Sequence, residues 1–446
     1  MTLRDSLMAT VSIVFISAVT VLLLSATTTL ATSDFLISYW CGVKTTADMD
    51  AKYAEVKECG FTYASMTVDF WSSTVESNIK MLDACQKQGI KCIILDVRIF
   101  NVKPESADFE KVLDDIVNDY SKHPAFAGYF LADEPNFPEF PRLVAIKNYL
   151  KKKDPKHFSY VNLLPTGAVP RLDYVEEFCR QFKPELLSYD NYALQVNKTT
   201  SEGYFSNLGI VRTSALKHHI PACNIIQAIA GGAWRDPTEA EYRWQVNTSL
   251  VYGFKGIMYF YYWTPPLENG GFNDGGMLDS NGNRTHRYDR IKRVNASINT
   301  LAPTLMKLTS TAVYHTGSIL RGEEPFPPAP LVNQASGKPM KIDMFKHYGV
   351  DKWTKVGDRD LSLQIRPVSG GPLVIGLFKH KDSSNWAMVV NRDFMNATKA
   401  KLRFREGIHR VQEISSRTGL MTDIELRSDA AEFDIPAGDE VLLKLE

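Results

Sequence analysis

Six polar residues, Asp96, Asp133, Glu134, Asn162, Asp190 and Gln227, each sit at the end of a short apolar run. No histidine stands among them. That weakens metal-dependent amidohydrolase chemistry, which takes imidazole ligands at such positions. It also weakens hydrolysis by a serine or cysteine nucleophile, which needs a histidine base. Carboxylates with amides suit cleavage of a glycosidic bond. One carboxylic acid protonates the leaving oxygen, a second carboxylate acts as base or nucleophile, and amides bind hydroxyls.

Strand alternation assigns directions to neighbouring residues. Gly128, Phe130, Ala132 and Glu134 share one face, and small Gly128 and Ala132 suit a crowded interior. Glu134 is therefore expected to point inward as general acid, with Asp133 outward or sideways. The same rule turns Asp190 and Tyr192 inward with Ser188. Asp190 is the expected partner carboxylate. Two strands of separation suggest a gap of about 6.5–9.5 Å, the inverting range, rather than about 5–5.5 Å. Asp133, Asp96, Asn162, Tyr192 and Gln227 are candidate substrate-binding groups, though Asp96 also has Arg98 two residues on as an ion-pair partner. Trp263, then Trp40 and Trp234, are candidate platforms under a sugar ring, with core packing as the competing use of all three. The Gly- and Asn-rich stretch 265–284 is long enough to cover a site, and Glu268 or Asp274 would come with it.

The elements that must position these residues follow from periodicity. Short apolar runs at 35–40, 61–66, 92–97, 128–132, 158–163, 186–189, 224–229 and 256–262 read as eight strands. Helical segments lie between them: Phe109, Val112, Leu113, Ile116, Val117 and Tyr120 fall on one face, as do Tyr288, Ile291, Val294, Ile298 and Leu301. Asp236-Pro237-Thr238-Glu239 reads as a helix start capped by Asp236. Eight strand–helix units over 32–310 predict an α/β fold, a (β/α)8 TIM barrel, whose C-terminal strand ends carry the site. A doubly wound sheet lacks its Gly-x-Gly-x-x-Gly turn here. Beyond 310 the pattern becomes short extended runs at 361–367, 373–378, 386–390, 401–404, 411–415 and 441–445, parted by turns. A separate antiparallel β-sandwich is expected over 311–446, with 325–330 an irregular excursion.

The stretches 128–135 (GYFLADEP), 188–192 (SYDNY) and 262–265 (YWTP) resemble glycoside-hydrolase-like (β/α)8 proteins of the β-galactosidase and cellulase type, many of which carry a C-terminal β-sandwich. The stretches 276–288 and 389–393 are similar to that group too, so the resemblance spans most of 35–446. It implies hydrolysis of an oligosaccharide, polysaccharide or glycoconjugate without a cofactor or metal. Retaining barrels of this kind end the fourth strand in Asn-Glu, which transfers the acid role to Glu134. Their nucleophilic Glu on the seventh strand has no counterpart, because Gln227 stands there. The adjacent Asp133-Glu134 also resembles β-N-acetylhexosaminidases that use the substrate's own acetamido group, with Asp133 orienting it and Glu134 as acid. A catalytically inactive barrel that binds glycans is the alternative outside enzymes.

Composition narrows the partners. Lys plus Arg number 51 and Asp plus Glu number 51, so the formal net charge is zero. Nucleic acid and anionic membranes both require a basic excess. Residues 6–33 carry no charge and are largely apolar, so 1–31 is expected to be a secretory signal peptide, the alternative being a retained membrane anchor. A secreted, extracellular glycoprotein is the matching expectation, with Asn-x-Ser/Thr sites at Asn197, Asn247, Asn283, Asn295 and Asn396. The six cysteines form no Cys-x-x-Cys pair, and both pairing and burial as free thiols are open to them.

Overall fold

A computed structural model describes residues 35–165, 173–196, 203–266, 275–316, 352–354 and 364–446. The expected leader, the excursion at 325–330, Asn197, Glu268 and Asp274 lie outside the described residues.

Eight strands form one sheet: β1 (Leu36–Tyr39), β2 (Tyr63–Ala64), β3 (Lys91–Leu95), β4 (Phe126–Asp133), β5 (Phe158–Leu163), β6 (Leu187–Asp190), β7 (Ala222–Gln227) and β8 (Gly256–Phe260). Their order is β1-β8-β7-β6-β5-β4-β3-β2, and every ladder is parallel. The remaining seam, between β1 and β2, is stitched by Thr62. Its amide donates to the Ile37 carbonyl, while its hydroxyl accepts from the Ile37 amide and donates to the Phe35 carbonyl. The sheet thus becomes the expected barrel. Gly128 is needed inside it, because a Cβ there would lie 2.4 Å from the Phe158 carbonyl oxygen on β5.

The outer helices are α1 (Met49–Glu58), α2 (Val75–Gln88), α3 (Arg98–Asn101), α4 (Phe109–Tyr120), α5 (Phe140–Lys153), α6 (Tyr174–Phe182), α7 (Tyr204–His218), α8 (Glu239–Val251) and α9 (His286–Leu305). Helix α8 begins later than expected. Thr238, not Asp236, is its cap, in a box with Glu241, whose carboxylate accepts from the Thr238 amide. Asp236 instead receives Arg287 and His286 from α9. The tertiary partners on α9 therefore outweigh the local capping role.

The C-terminal region is an antiparallel sandwich, apart from one parallel pair. Its larger sheet runs β10 (Lys352–Thr354), β9 (Leu308–Thr316), β12 (Leu373–His380), β13 (Asn385–Asn391), β18 (Glu440–Leu445), β15 (Val411–Ile414), β16 (Met421–Ile424), with β10 parallel to β9. Strands β11 (Ile365–Ser369), β14 (Thr398–Phe404) and β17 (Ala430–Ile435) make the smaller sheet. Strand β9 straddles the expected boundary at 310. Ile365, Ile375, Val389, Leu402 and Phe433 form a core between the sheets. The other face of the larger sheet lies against α8. Gly376 passes so close that a Cβ would meet the Val251 carbonyl oxygen at 2.2 Å, and the Asn247 amide donates to the Gly438 carbonyl. The sandwich buttresses the barrel on that side.

Two expected glycosylation sites are closed by this packing. Asn247 is buried, and Asn295 is buried with its side chain bonded to Tyr259 and the Cys59 carbonyl. All six cysteines are buried free thiols. Among the described residues no helix is long and apolar enough to cross a membrane.

Candidate active site

The site is built on an irregularity in β4. Phe130 lies opposite Tyr160 on β5, but Ala132 lies opposite Val161 and Asp133 opposite Asn162, so β4 holds one extra residue. A bulge of this kind reverses the alternation beyond it. Before the bulge, Phe130 faces inward against Trp40 and Tyr160, and Tyr129 faces outward, its hydroxyl donating to Asp154. After it, Asp133 turns into the mouth beside Asn162. The expectation that Asp133 points away is therefore corrected: alternation counted from Gly128 fails at Leu131.

Asn162, buried on β5, joins two carboxyls. Its Nδ2 donates at 3.0 Å to Asp133 Oδ1 and at 3.0 Å to Asp190 Oδ1. Glu134 follows with φ +48°, in the left-handed region that costs a non-glycine residue about 1–3 kcal/mol. Its amide donates to the Asn162 carbonyl at 2.8 Å, which holds the turn. So placed, the Glu134 carboxyl comes within hydrogen-bonding reach of Asp190. The expected gap of about 6.5–9.5 Å is thus replaced by direct contact. The bulge and the left-handed turn close the distance that strand spacing alone would leave.

Two carboxyls in contact cannot both ionise freely. Burial, then the Glu134 charge, pushes the Asp190 pKa well above the usual carboxylate range, against the Asn162 hydrogen bond. Asp190 therefore keeps its proton to a higher pH than a free carboxyl does. Asp133 is exposed at its surface, yet protein atoms crowd its carboxyl. Burial pushes it up to about 6, with the Asn162 bond opposing and the Glu134 charge adding. Among the described residues, none of the main groups that shift either aspartate is a cation.

Aromatic rings wall the same space. Tyr192, half-buried, stacks on Phe260 (4.7 Å between centroids, 18° between planes) and meets Trp234 edge-on at 5.9 Å. Burial first, then the charges of Asp190, Asp133 and Glu134, raises the Tyr192 pKa, so its hydroxyl stays protonated beside them. Cys41 (φ +46°) is also within the field of Asp133, its thiol pushed up to about 12, chiefly by burial. Phe260 and Cys41 escape the sequence reading, which ran the eighth strand on to 262.

The structure places four other candidates elsewhere. Asp96 accepts from the Arg98 amide, Nε and Nη2 and from the Tyr120 hydroxyl, which ties it to α4 and away from substrate. Gln227 is buried, with Oε1 accepting from the Leu194 amide and Nε2 donating to the Ile229 and Arg235 carbonyls. Its amide holds loops together and is not available to a ligand. Trp263 is buried beneath 280–282, with Nε1 donating to the Ser280 carbonyl. Trp40 is a buried floor under Phe130. Both rings belong to the hydrophobic core. Among the described residues no group of three or more His, Cys, Asp or Glu side chains is arranged to hold a metal ion.

No family model and no curated protein sequence matches the chain. Solved structures do. The β-galactosidase of Bacillus circulans sp. alkalophilus superposes with a TM-score of 0.58 at 8% identity, over 93% of this chain and 99% of that one. The cold-adapted β-galactosidase of Rahnella sp. R3 gives 0.55 at 9% identity, over 93% and 99%. A glycoside hydrolase family 5 protein of Bacteroides vulgatus gives 0.52 at 10% identity, over 92% and 88%. The match to the Marinomonas ef1 β-galactosidase spans 63% of that protein, with a TM-score of 0.50. With a bulged fourth strand, a carboxyl cluster at the strand ends and a sandwich behind α8, the chain has the fold of these glycoside hydrolase barrels.

Proposed function

We propose that the protein is a glycoside hydrolase in which Glu134 is the general acid and Asp133 works beside it on the substrate. One observation carries this reading: Asp133 and Glu134, adjacent in sequence, both face the mouth, while Asp190 is bonded to Glu134 instead of standing across the cleft. Gln227 on β7 offers no carboxylate. The described residues thus supply an acid but no separated nucleophile, and a 2-acetamido group on the substrate fills that role best. Glu134 gives its proton to the glycosidic oxygen as the C1–O bond breaks. The acetamido oxygen bonds to C1, and Asp133 takes the hydrogen bond of the acetamido N–H as its nitrogen becomes positive. Water then attacks C1, opens the ring intermediate and returns a proton to Glu134. The apolar stretch at 6–33 supports secretion as part of the same proposal.

The test is an aryl 2-acetamido-glycoside series with zero to three fluorines on the acetyl group. Rates that fall steeply with each fluorine support participation of the acetamido oxygen. Equal rates across the series, or cleavage of 2-hydroxy glycosides at the same rate, would overturn it. Binding of glycans without turnover would identify the silent barrel instead.

A further inference from the structure

We infer that Trp71, with Phe70 and Phe100 behind it, forms a glycan subsite on the rim of the barrel mouth, so that the substrate is a chain of several neutral sugars. The inference rests on the glycosidase reading above. Trp71 is 71% exposed and is the one aromatic among the exposed large hydrophobic residues described. Tryptophan is highly buried on average, so a ring this open to solvent is uncommon. It sits in the short 3-10 turn Phe70–Ser72 that follows β2, at the C-terminal end of the barrel where the carboxyls lie.

The ring is held up by its neighbours. Phe70 lies 4.9 Å from it and Phe100, on α3 after β3, lies 5.6 Å from it, both tilted. The loop beneath is tied at several points. The Asp69 carboxylate accepts from the Thr45 amide (3.0 and 3.2 Å) and hydroxyl (2.6 Å), which joins the loops after β1 and β2. Thr67 and Ser73 hydroxyls are 3.0 Å apart, and the Val68 amide donates to the Gly42 carbonyl. Arg142 of α5 fixes α3 by donating to the Val102 and Ile99 carbonyls. A rigid, outward-facing ring loses little freedom when a ligand covers it. Its flat apolar face suits the C–H face of a pyranose. Strands β2 and β3 adjoin β4, so a chain with one sugar at Glu134 extends over this rim. A partner protein or a lipid surface is less well matched: Trp71 is the one exposed large hydrophobic residue described in this part of the chain, and its chain neighbours Asp69, Ser72, Ser73 and Thr74 are polar.

The test uses the full chain carrying Glu134→Gln, so that ligands persist, with and without Trp71→Ala. Dimers and hexamers of β-1,4-linked N-acetylglucosamine and of β-1,4-linked glucose are titrated by calorimetry. Loss of Trp71 is expected to weaken hexamer binding about three- to tenfold while dimer binding moves less than about twofold, and Trp71→Phe restores most of the difference. Acrylamide quenching of the Trp71 emission falls when the hexamer binds. A hexamer-to-dimer ratio that is the same with and without Trp71 would overturn the subsite and leave the glycosidase reading standing. Failure of every oligomer to bind either protein would overturn that reading, and the subsite with it.

Discussion

Asp96 and Asp133 close adjacent strands of one barrel, yet they are electrostatic opposites. Burial would push the Asp96 pKa up, but hydrogen bonds from Arg98 and Tyr120 outweigh it and hold the carboxyl ionised. For Asp133 and Asp190 the Asn162 hydrogen bond favours the ionised form, but burial prevails. The same backbone position thus yields an anchor in one case and a proton-holding group in the other. The difference lies in what stands opposite: Arg98 with α4 outside the barrel, or other carboxyls inside its mouth. Perturbed acids without a cation are where chemistry is expected.

The comparison breaks most decisively at Glu134. Glu134→Gln should lower turnover of a cleavable glycoside by roughly 10²–10⁴, with an unchanged circular-dichroism spectrum, since a general acid supplies about that much. A variant with the parent rate ends its assignment as the acid. Asp190→Asn removes the carboxyl that lies against Glu134 and is raised by its charge. Turnover at neutral pH should fall roughly tenfold with the fold unchanged, since the variant disturbs the proposed acid only through its neighbour. A parent rate in this variant would mean that Asp190 does not support Glu134 in the reaction.

Asp96→Asn should act on stability instead, by about 2–3 kcal/mol in urea unfolding, because it leaves Arg98 short of its main partner. The folded variant should keep its turnover number; a lost turnover with unchanged stability would put Asp96 back in the site. The smallest effect sharpens the comparison through its sign. Asp96 has a lowered pKa, so its contribution is present above the unfolded carboxylate value near 4 and is lost as pH falls below it. Asp133 is raised, so its protonated form is favoured by folding, and stability declines as pH rises from about 4 to about 6. Asp133→Asn should therefore raise the melting temperature by roughly 1–3 °C at pH 7 and leave it unchanged near pH 4. A fall at pH 7 would show that Asp133 is paired.

Much of the frame was legible because it rests on periodicity. The apolar run at 158–163 is β5 residue for residue, and the Phe109 to Tyr120 stripe is the buried side of α4. Where local signals and long-range contacts compete, reading stops. Asp236 has the residue type of a helix cap, but α9 brings Arg287 to it, and Thr238 takes the cap. The three tryptophans named as platforms have the right chemistry, but exposure is not written in residue type. Trp263 is covered by residues seventeen and more positions on, and exposed Trp71 has no local mark that separates it from a core ring.

The sequence by itself determined the barrel, the sandwich and the identity of Glu134 and Asp190 as acids at strand ends, because hydrophobic alternation and strand length are local properties. Only the tertiary structure decided which way Asp133 faces and that Glu134 touches Asp190. An extra residue in Phe130-Leu131-Ala132 costs nothing that an apolar run reveals, and it is recognised only against the register of β5. A pKa, likewise, belongs to a carboxyl and its surroundings together, and those surroundings come from β5 and β6, some 30 to 60 residues away along the chain.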